Sequence, residues 1–241
     1  EIEISALNED ILATIGCLRA LGAEIACADG LLEIIPMRGS VTGERTLFCG
    51  ESGSTLRFLL PVCGALGAAL TSMVCALTLG KKKYADVQDL AASTEKQAIA
   101  LKDRYLDIID RDTEAFNAVS AVFSMPKETD ADKAARKAAM QAALKLCTET
   151  PIEMMELALE TLRMIEGVSG RLNASAASDL GCAILAMKSA IQGAWLNVLI
   201  NVGGIDDAAF AKEAREKGER MLSEALSLAD RLFGEIENSL K

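Results

Sequence analysis

Residues 50–84 read GESGSTLRFLLPVCGALGAALTSMVCALTLGKKKY, and the character of the chain changes inside that stretch. Before about Leu60 the sequence is β-branched and punctuated by glycine, as in a small α/β unit. From Gly64 onward Ala, Leu and Met recur at helical spacing almost to the C-terminus. The expected architecture is mainly α, an up-and-down helical bundle over residues 64–241 joined to a small N-terminal α/β fragment over residues 1–63.

On the N-terminal side, Glu1 to Ser5 alternate, and Asn8-Glu9-Asp10 open a helix whose expected buried stripe is Ile11, Leu12, Ile15, Leu18 and Leu21, with Gly22 as C-cap. Strands are expected over Ala23–Cys27 and Leu31–Pro36, joined at Asp29-Gly30. A Gly/Ser-rich turn, residues 49–55, then leads into a helix beginning near Thr55, a geometry that offers backbone N–H groups to a phosphate.

On the C-terminal side, the spacing predicts helices over about 64–79 (ending at Gly80 with Lys81, Lys82 and Lys83), 86–123, 130–149, 150–166, 176–199 and 206–240. The break at 149/150 rests on Thr150-Pro151-Ile152-Glu153, which reads as a capping box with Pro at the first helical position.

Composition limits the chemistry. A net charge of -10, with basic residues clustered only at Lys81–Lys83, gives no footprint for nucleic acid. The absence of histidine leaves proton transfer to carboxylates, Lys, Tyr, Cys or water, and no metal is expected. Seven cysteines without a C-x-x-C pair read as reduced thiols of a cytoplasmic protein. The apolar run at 58–79 is too broken by Gly, Ser and Thr for a transmembrane helix, so no membrane partner is expected. Position 1 is Glu, which places the expected start of the chain inside a longer reading frame.

Two helix faces hold candidate chemistry. On the second long helix, Leu101, Tyr105, Ile108, Asp112, Phe116, Val119 and Phe123 share one face, and Asp112 is the carboxylate inside that apolar stripe. Burying it is costly unless it is paired or kept for function. Asp110 lies on the neighbouring polar strip with Thr113 and Asn117. On the fifth helix, Asp179, Ala183, Ala186, Ala190, Gly193, Asn197 and Asn201 form a strip of small residues with polar ends. Such a strip either admits a neighbouring helix closely or leaves a groove for a flat ligand.

The motifs carry two resemblances. Residues 9–23 (EDILATIGCLRALGA) with 49–58 (CGESGSTLRF) resemble 5-enolpyruvylshikimate-3-phosphate synthase, in which Gly53, Ser54 and Arg57 would belong to the loop at the phosphoenolpyruvate site. The segments GALGAA, TLGKKKY, DRDTEAFN, MPK, PIEMME, NASAASDLG and AWLNVLIN, in that order over about three quarters of the chain, resemble the cyclodeaminase/cyclohydrolase family. That family comprises the helical module of formiminotransferase-cyclodeaminase and the stand-alone methenyltetrahydrofolate cyclohydrolases. The resemblance implies folate one-carbon chemistry, with a tetrahydrofolate derivative as substrate bound between the helices of a homodimer or higher oligomer. The activity would be cyclodeamination of 5-formiminotetrahydrofolate or hydrolysis of 5,10-methenyltetrahydrofolate.

By position in those motifs Asp112 is the first choice for the catalytic carboxylate and Asp110 the second. Asn173, Ser178, Asp179 and Asn197 are the expected folate contacts, and Lys81, Lys82 and Lys83 would attract the glutamate tail. Catalysis by Asp112 on a ligand held by Asp179 requires both to face one cleft. The family's Pro-Gly-Gly-Gly-Ser loop is replaced here by Arg57–Cys63. A non-catalytic helical dimerisation module, or a remnant of an enolpyruvyl transferase, are the alternative readings.

Overall fold

The structure, a computed structural model, describes residues 2–3, 9–20, 23–28, 31–35 and 53–241. The chain divides into two compact units, Glu1–Leu59 and Leu60–Lys241.

In the first unit, β1 (Ile2–Glu3), α1 (Glu9–Ala20), β2 (Glu24–Ala28) and β3 (Leu31–Ile35) follow in order. The sheet is antiparallel with β3 in the middle, and Ile25 pairs with Ile34 in the β2–β3 ladder. Ile15 and Ile25 form a small buried cluster with Ile11, Leu18 and Ala23 packed on it. Leu12, expected in the buried stripe, is 52% exposed. A helix advances about 100° per residue, so the neighbour of an inward Ile11 turns toward solvent. The Arg19 guanidinium ties helix to strand by donating through Nε to the Ile25 carbonyl at 3.2 Å. The proposed caps and turns at Gly22, Asp29-Gly30 and 49–52 lie outside the described residues, as do Leu21 and the side chains of Ser54 and Arg57.

The second unit is the up-and-down bundle that the sequence predicts, built from α2 (Gly53–Ala76) from Leu60 onward, α3 (Gln88–Phe123), α4 (Asp130–Val168), α5 (Ala177–Val202) and α6 (Ala208–Ser239), with 3-10 turns at Lys82–Val87 and Ala174–Ala176. Two expected boundaries are absent. Pro61 lies inside α2, and Pro151 lies inside α4, so the helices predicted at 130–149 and 150–166 are one. Thr129, not Thr150, carries the capping box: its hydroxyl accepts from the Asp132 N–H at 3.1 Å, and Asp132 accepts from the Thr129 N–H at 3.0 Å.

Cross-helix pairs show the directions. Arg104–Glu160 and Arg111–Glu153, at 3.1 and 2.7 Å, run α3 antiparallel to α4. Lys188–Asp230 at 2.5 Å, with Gly181 against Ile236 and Trp195 against Gly218, does the same for α5 and α6. Glu156–Lys217, Arg163–Glu224 and Glu166–Arg231 climb together, so α4 and α6 are parallel. These pairs sit at the surface, where each contributes little to stability. The core between the helices is built from Tyr105, Ile108, Met155, Leu162, Ile184, Met187 and Ile191, among others.

The small residues on α5 close the question of groove or neighbour for their middle portion. A methyl placed on Gly67 of α2 would lie 2.9 Å from the Ala183 carbonyl oxygen and 3.4 Å from Ala186 Cβ, and Leu60 sits against Gly193 in the same way. Helix α2 therefore fills the strip, as close packing requires. Residues Ala174–Val202 are also long and apolar enough to cross a membrane by length and composition. Their inner face is packed in the bundle, where Leu180, Ala183, Ile184, Met187, Ala190, Ile191, Ala194 and Val198 are buried.

Candidate functional site

The sequence-predicted site residues fall at two ends of the bundle. At one end, α2 finishes and the chain turns through Gly80, whose φ of +73 suits glycine. Its N–H donates to Gln88 Oε1 at 2.8 Å, and Gln88 Nε2 donates to the Tyr84 carbonyl at 2.7 Å. One side chain at the start of α3 thus holds the whole Lys81–Lys83 turn.

Asn173 joins that turn to the α4–α5 connection. Its N–H donates to Thr78 Oγ1 at 2.9 Å and its side-chain amide to the Leu77 carbonyl at 3.2 Å, while Oδ1 accepts from the Ser175 N–H at 3.2 Å. The next N–H, of Ala174, donates to the Tyr84 hydroxyl at 3.0 Å. That bond, helped by Lys83 and Lys81, holds the Tyr84 phenol below its ordinary pKa, against the opposing effect of desolvation. Asn173 is buried and engaged with backbone on both its polar atoms, which makes it the pin of the loop. Lys81, Lys82, Lys83 and Ser178 are exposed and Asp179 is half-buried at the start of α5. A cavity of about 250 Å³ opens beside Asn173, lined by Val74, Gly170, Ala177, Leu180 and Ile236, among others, and not by Lys81, Lys82, Lys83, Ser178 or Asp179.

The other end holds the carboxylate. Asp112 is 8% exposed and accepts the Thr150 hydroxyl proton at 2.9 Å. Asp110, two residues earlier, is exposed. Three residues before Thr150, the Cys147 carbonyl accepts from Asn201 Nδ2 at 2.6 Å, and Asn197 lies one turn before Asn201 on the same helix face, half-buried. Neither described cavity is lined by Asp112; the second, of about 180 Å³, lies between α4 and α6 at Thr148, Ile152, Phe210 and Lys217.

The ends are far apart. Asp179 and Asn201 are 22 residues apart on α5, about 33 Å at 1.5 Å per residue. Asp112 and Asp179 therefore do not share a cleft within one chain, contrary to the geometric requirement drawn from the motifs. Gly53, Ser54 and Arg57 lie in helical backbone at the start of α2, not in a loop. Among the described residues, no group of three His, Cys, Asp or Glu is placed to hold a metal ion.

Sequence reading missed Thr150, Gln88 and the partner of Asn201. Gln88, the first residue of α3 and eight positions after a turn glycine, carried a local signal; the other two depend on the register between helices.

The chain is 40% identical over 180 residues to methenyltetrahydrofolate cyclohydrolase of Methylorubrum extorquens, covering 74% of this chain and 86% of that protein. The fold matches the crystal structure of formiminotetrahydrofolate cyclodeaminase from Thermotoga maritima with a TM-score of 0.69 and 24% identity, over 77% of this chain and 89% of that one. A 60-residue segment is 43% identical to 3-phosphoshikimate 1-carboxyvinyltransferase of Clostridium botulinum, covering 23% of this chain and only 14% of that enzyme. Residues 60–220 match the formiminotransferase-cyclodeaminase family, so the bundle and its two polar ends belong to a chain of that family.

Proposed function

We propose that this chain is a folate one-carbon enzyme of the methenyltetrahydrofolate cyclohydrolase type, with Asp112 as the catalytic carboxylate. The observation that carries the reading is the burial of Asp112 in an apolar face with a hydroxyl donated to it from α4. Its support from relatives is the 40% identity to a cyclohydrolase over 86% of that protein's length.

In the reaction, water adds to the methenyl carbon, forming a C–O bond, and the carboxylate takes the proton the water gives up. The carbinol O–H then gives up its proton as the C=O bond forms and the C–N5 bond breaks, and N5 takes a proton, leaving the formyl group on N10. Cyclodeamination makes the same demand on a carboxylate, with N10 as the attacking group and ammonia leaving. Asp110 is the second choice for the proton, being on the same helix but solvated.

On this reading the working unit is a homodimer, which the separation of the two ends supports. An outward stripe on α5, including Cys182, Leu185, Leu196 and Ile200, runs between the levels of Asp179 and Asn201. Leu196 and Ile200 are 65% and 74% exposed, which favours a partner copy along this face. Two antiparallel copies would set Lys81, Lys82, Lys83, Asn173, Ser178 and Asp179 of one against Asp112 and Asn197 of the other. The lysines would hold the glutamate tail of the folate and Asn173 would shape the wall. Gly53, Ser54 and Arg57 belong in this reading to a segment shared with enolpyruvyl transferases, and a match over 14% of such an enzyme supports no transferase activity.

The test is the decay of the near-ultraviolet absorbance of 5,10-methenyltetrahydrofolate with the purified protein. The expected result is enzyme-dependent decay that D112N slows by about 100-fold or more. Decay no faster than buffer alone, or a fully active D112N, would overturn the reading. Ammonia release from 5-formiminotetrahydrofolate separates the cyclodeaminase alternative. Mixing D112N with a variant lacking Lys81–Lys83 restores partial activity if the site spans two copies.

A further inference from the structure

Thr71, Thr113, Thr148 and Thr161 within these helices, and Thr78 just past the end of α2, donate hydroxyl hydrogen bonds to the carbonyl four residues earlier, at 2.7–2.9 Å. This is the usual local choice of a helical threonine, whose Oγ1 reaches the carbonyls three and four residues back. Thr150 departs from it and sends its hydroxyl across to Asp112 on α3.

Pro151 supplies the reason such a departure needs help. Proline has no N–H, so it cannot give the helix bond to the carbonyl four residues earlier, which is that of Cys147. Cys147 is also three residues before Thr150, within reach of that hydroxyl. A carbonyl short of its helical N–H is the acceptor most able to pull the Thr150 hydroxyl away from Asp112. Asn201 meets that demand from α5, with its amide 2.6 Å from the Cys147 oxygen in a buried site.

We infer that Asn201 is a positioning residue for Asp112: by supplying the donor that Pro151 lacks, its amide leaves the Thr150 hydroxyl to the carboxylate. The assignment of Asp112 to catalysis rests on the proposed function; the hydrogen-bond relay from α5 through α4 to α3 does not.

Infrared difference spectra of protein carrying ¹³C-labelled aspartate, with D112N as the subtraction reference, report the hydrogen bonding of the Asp112 carboxyl group directly. In N201A its band is expected to move as it does in T150V, and N201A/T150V is expected to move no further than T150V alone. Replacing Pro151 by Ala restores a backbone N–H, so N201A/P151A should return the band to its wild-type position. In a folate-active enzyme N201A should also lower kcat about tenfold with KM little changed, the worth of one hydrogen bond to a charged group. A band unmoved in N201A, or one that N201A/P151A fails to restore, overturns the relay. Should N201A alone not fold, recovery of both fold and wild-type band in N201A/P151A supports it, and a folded double variant with a shifted band overturns it. A wild-type protein without folate activity overturns the proposed function and leaves the infrared result to stand by itself.

Discussion

Gly67 of α2 and Ala183 of α5 meet so closely that a methyl carbon on residue 67 would lie 2.9 Å from the Ala183 carbonyl oxygen. The Met187 methyl, 2.4 Å from the same point, ends a flexible side chain and can swing aside, whereas the carbonyl belongs to α5 itself. Gly67→Ala must therefore push the helices apart, and we expect a loss of about 1–3 kcal/mol in chemical denaturation. The double variant G67A/M187A should recover little of it, because the backbone is the obstacle. Full recovery would show that only Met187 was in the way.

Asn173 makes its bonds where two loops cross, so its removal should be felt in both. Asn173→Ala loses the donor to the Leu77 carbonyl and the acceptor for the Ser175 N–H. The expected cost is about 1–2 kcal/mol. Hydrogen exchange should quicken at Ser175, whose N–H loses its acceptor, and at Ala174, whose bond to Tyr84 depends on the same crossing. An Ala174 amide that keeps its wild-type protection would show that Tyr84 holds the loop without Asn173.

Two capping carboxylates should make the stability of the bundle depend on pH in the acid range. Hydrogen bonding to Thr129 holds Asp132 below the ordinary 3.8, and the Lys145 ammonium with the Phe210 N–H does the same for Asp207. The unfolded chain thus takes up these protons at higher pH than the folded one, so their contribution is complete above the ordinary value and is lost as pH falls through the lower folded values. The unfolding midpoint should drop between about pH 5 and pH 3, and D132N and D207N should each flatten that drop. Unchanged slopes in both variants would assign the acid sensitivity elsewhere.

The thiols should separate by burial. Cys75 is buried, and burial, with Glu95 adding to it, pushes its pKa up to about 11, so it stays a neutral thiol near pH 7. Cys182 is exposed on the outward stripe of α5. Iodoacetamide on the native protein, followed by peptide mass spectrometry, should label Cys182 well before Cys75 or Cys147. If the stripe is covered by a second copy, labelling of Cys182 should slow as protein concentration rises.

The helical character of the bundle was legible because its apolar residues repeat at three and four, from Leu101 to Val122 and from Leu180 to Val198. The continuity of α4 was not. Thr150-Pro151-Ile152-Glu153 has the residues of a helix start, and a local pattern cannot tell a first turn from a mid-helix proline. In the folded chain the carbonyl that the proline leaves without its helical N–H accepts from a donor 50 positions later, on Asn201, which no local pattern reveals. The site divides in the same way. Asp112 stood out as a carboxylate in an apolar stripe, and it is buried. Its distance from Asp179 follows from helix lengths and from the turn at which each motif sits, so two motifs equally strong in sequence fall at opposite ends.

The bond between Asn201 and Cys147 also constrains how such a chain can change through time. Proline at 151 is tolerable while an amide stands on α5 to serve the carbonyl it leaves short, and the amide has this task only while the proline is present. On that inference, losing the asparagine alone leaves the carbonyl short of a donor, while losing both restores a backbone N–H to it. Among related sequences the two positions should therefore be inherited as a pair, proline with asparagine, and lost as a pair.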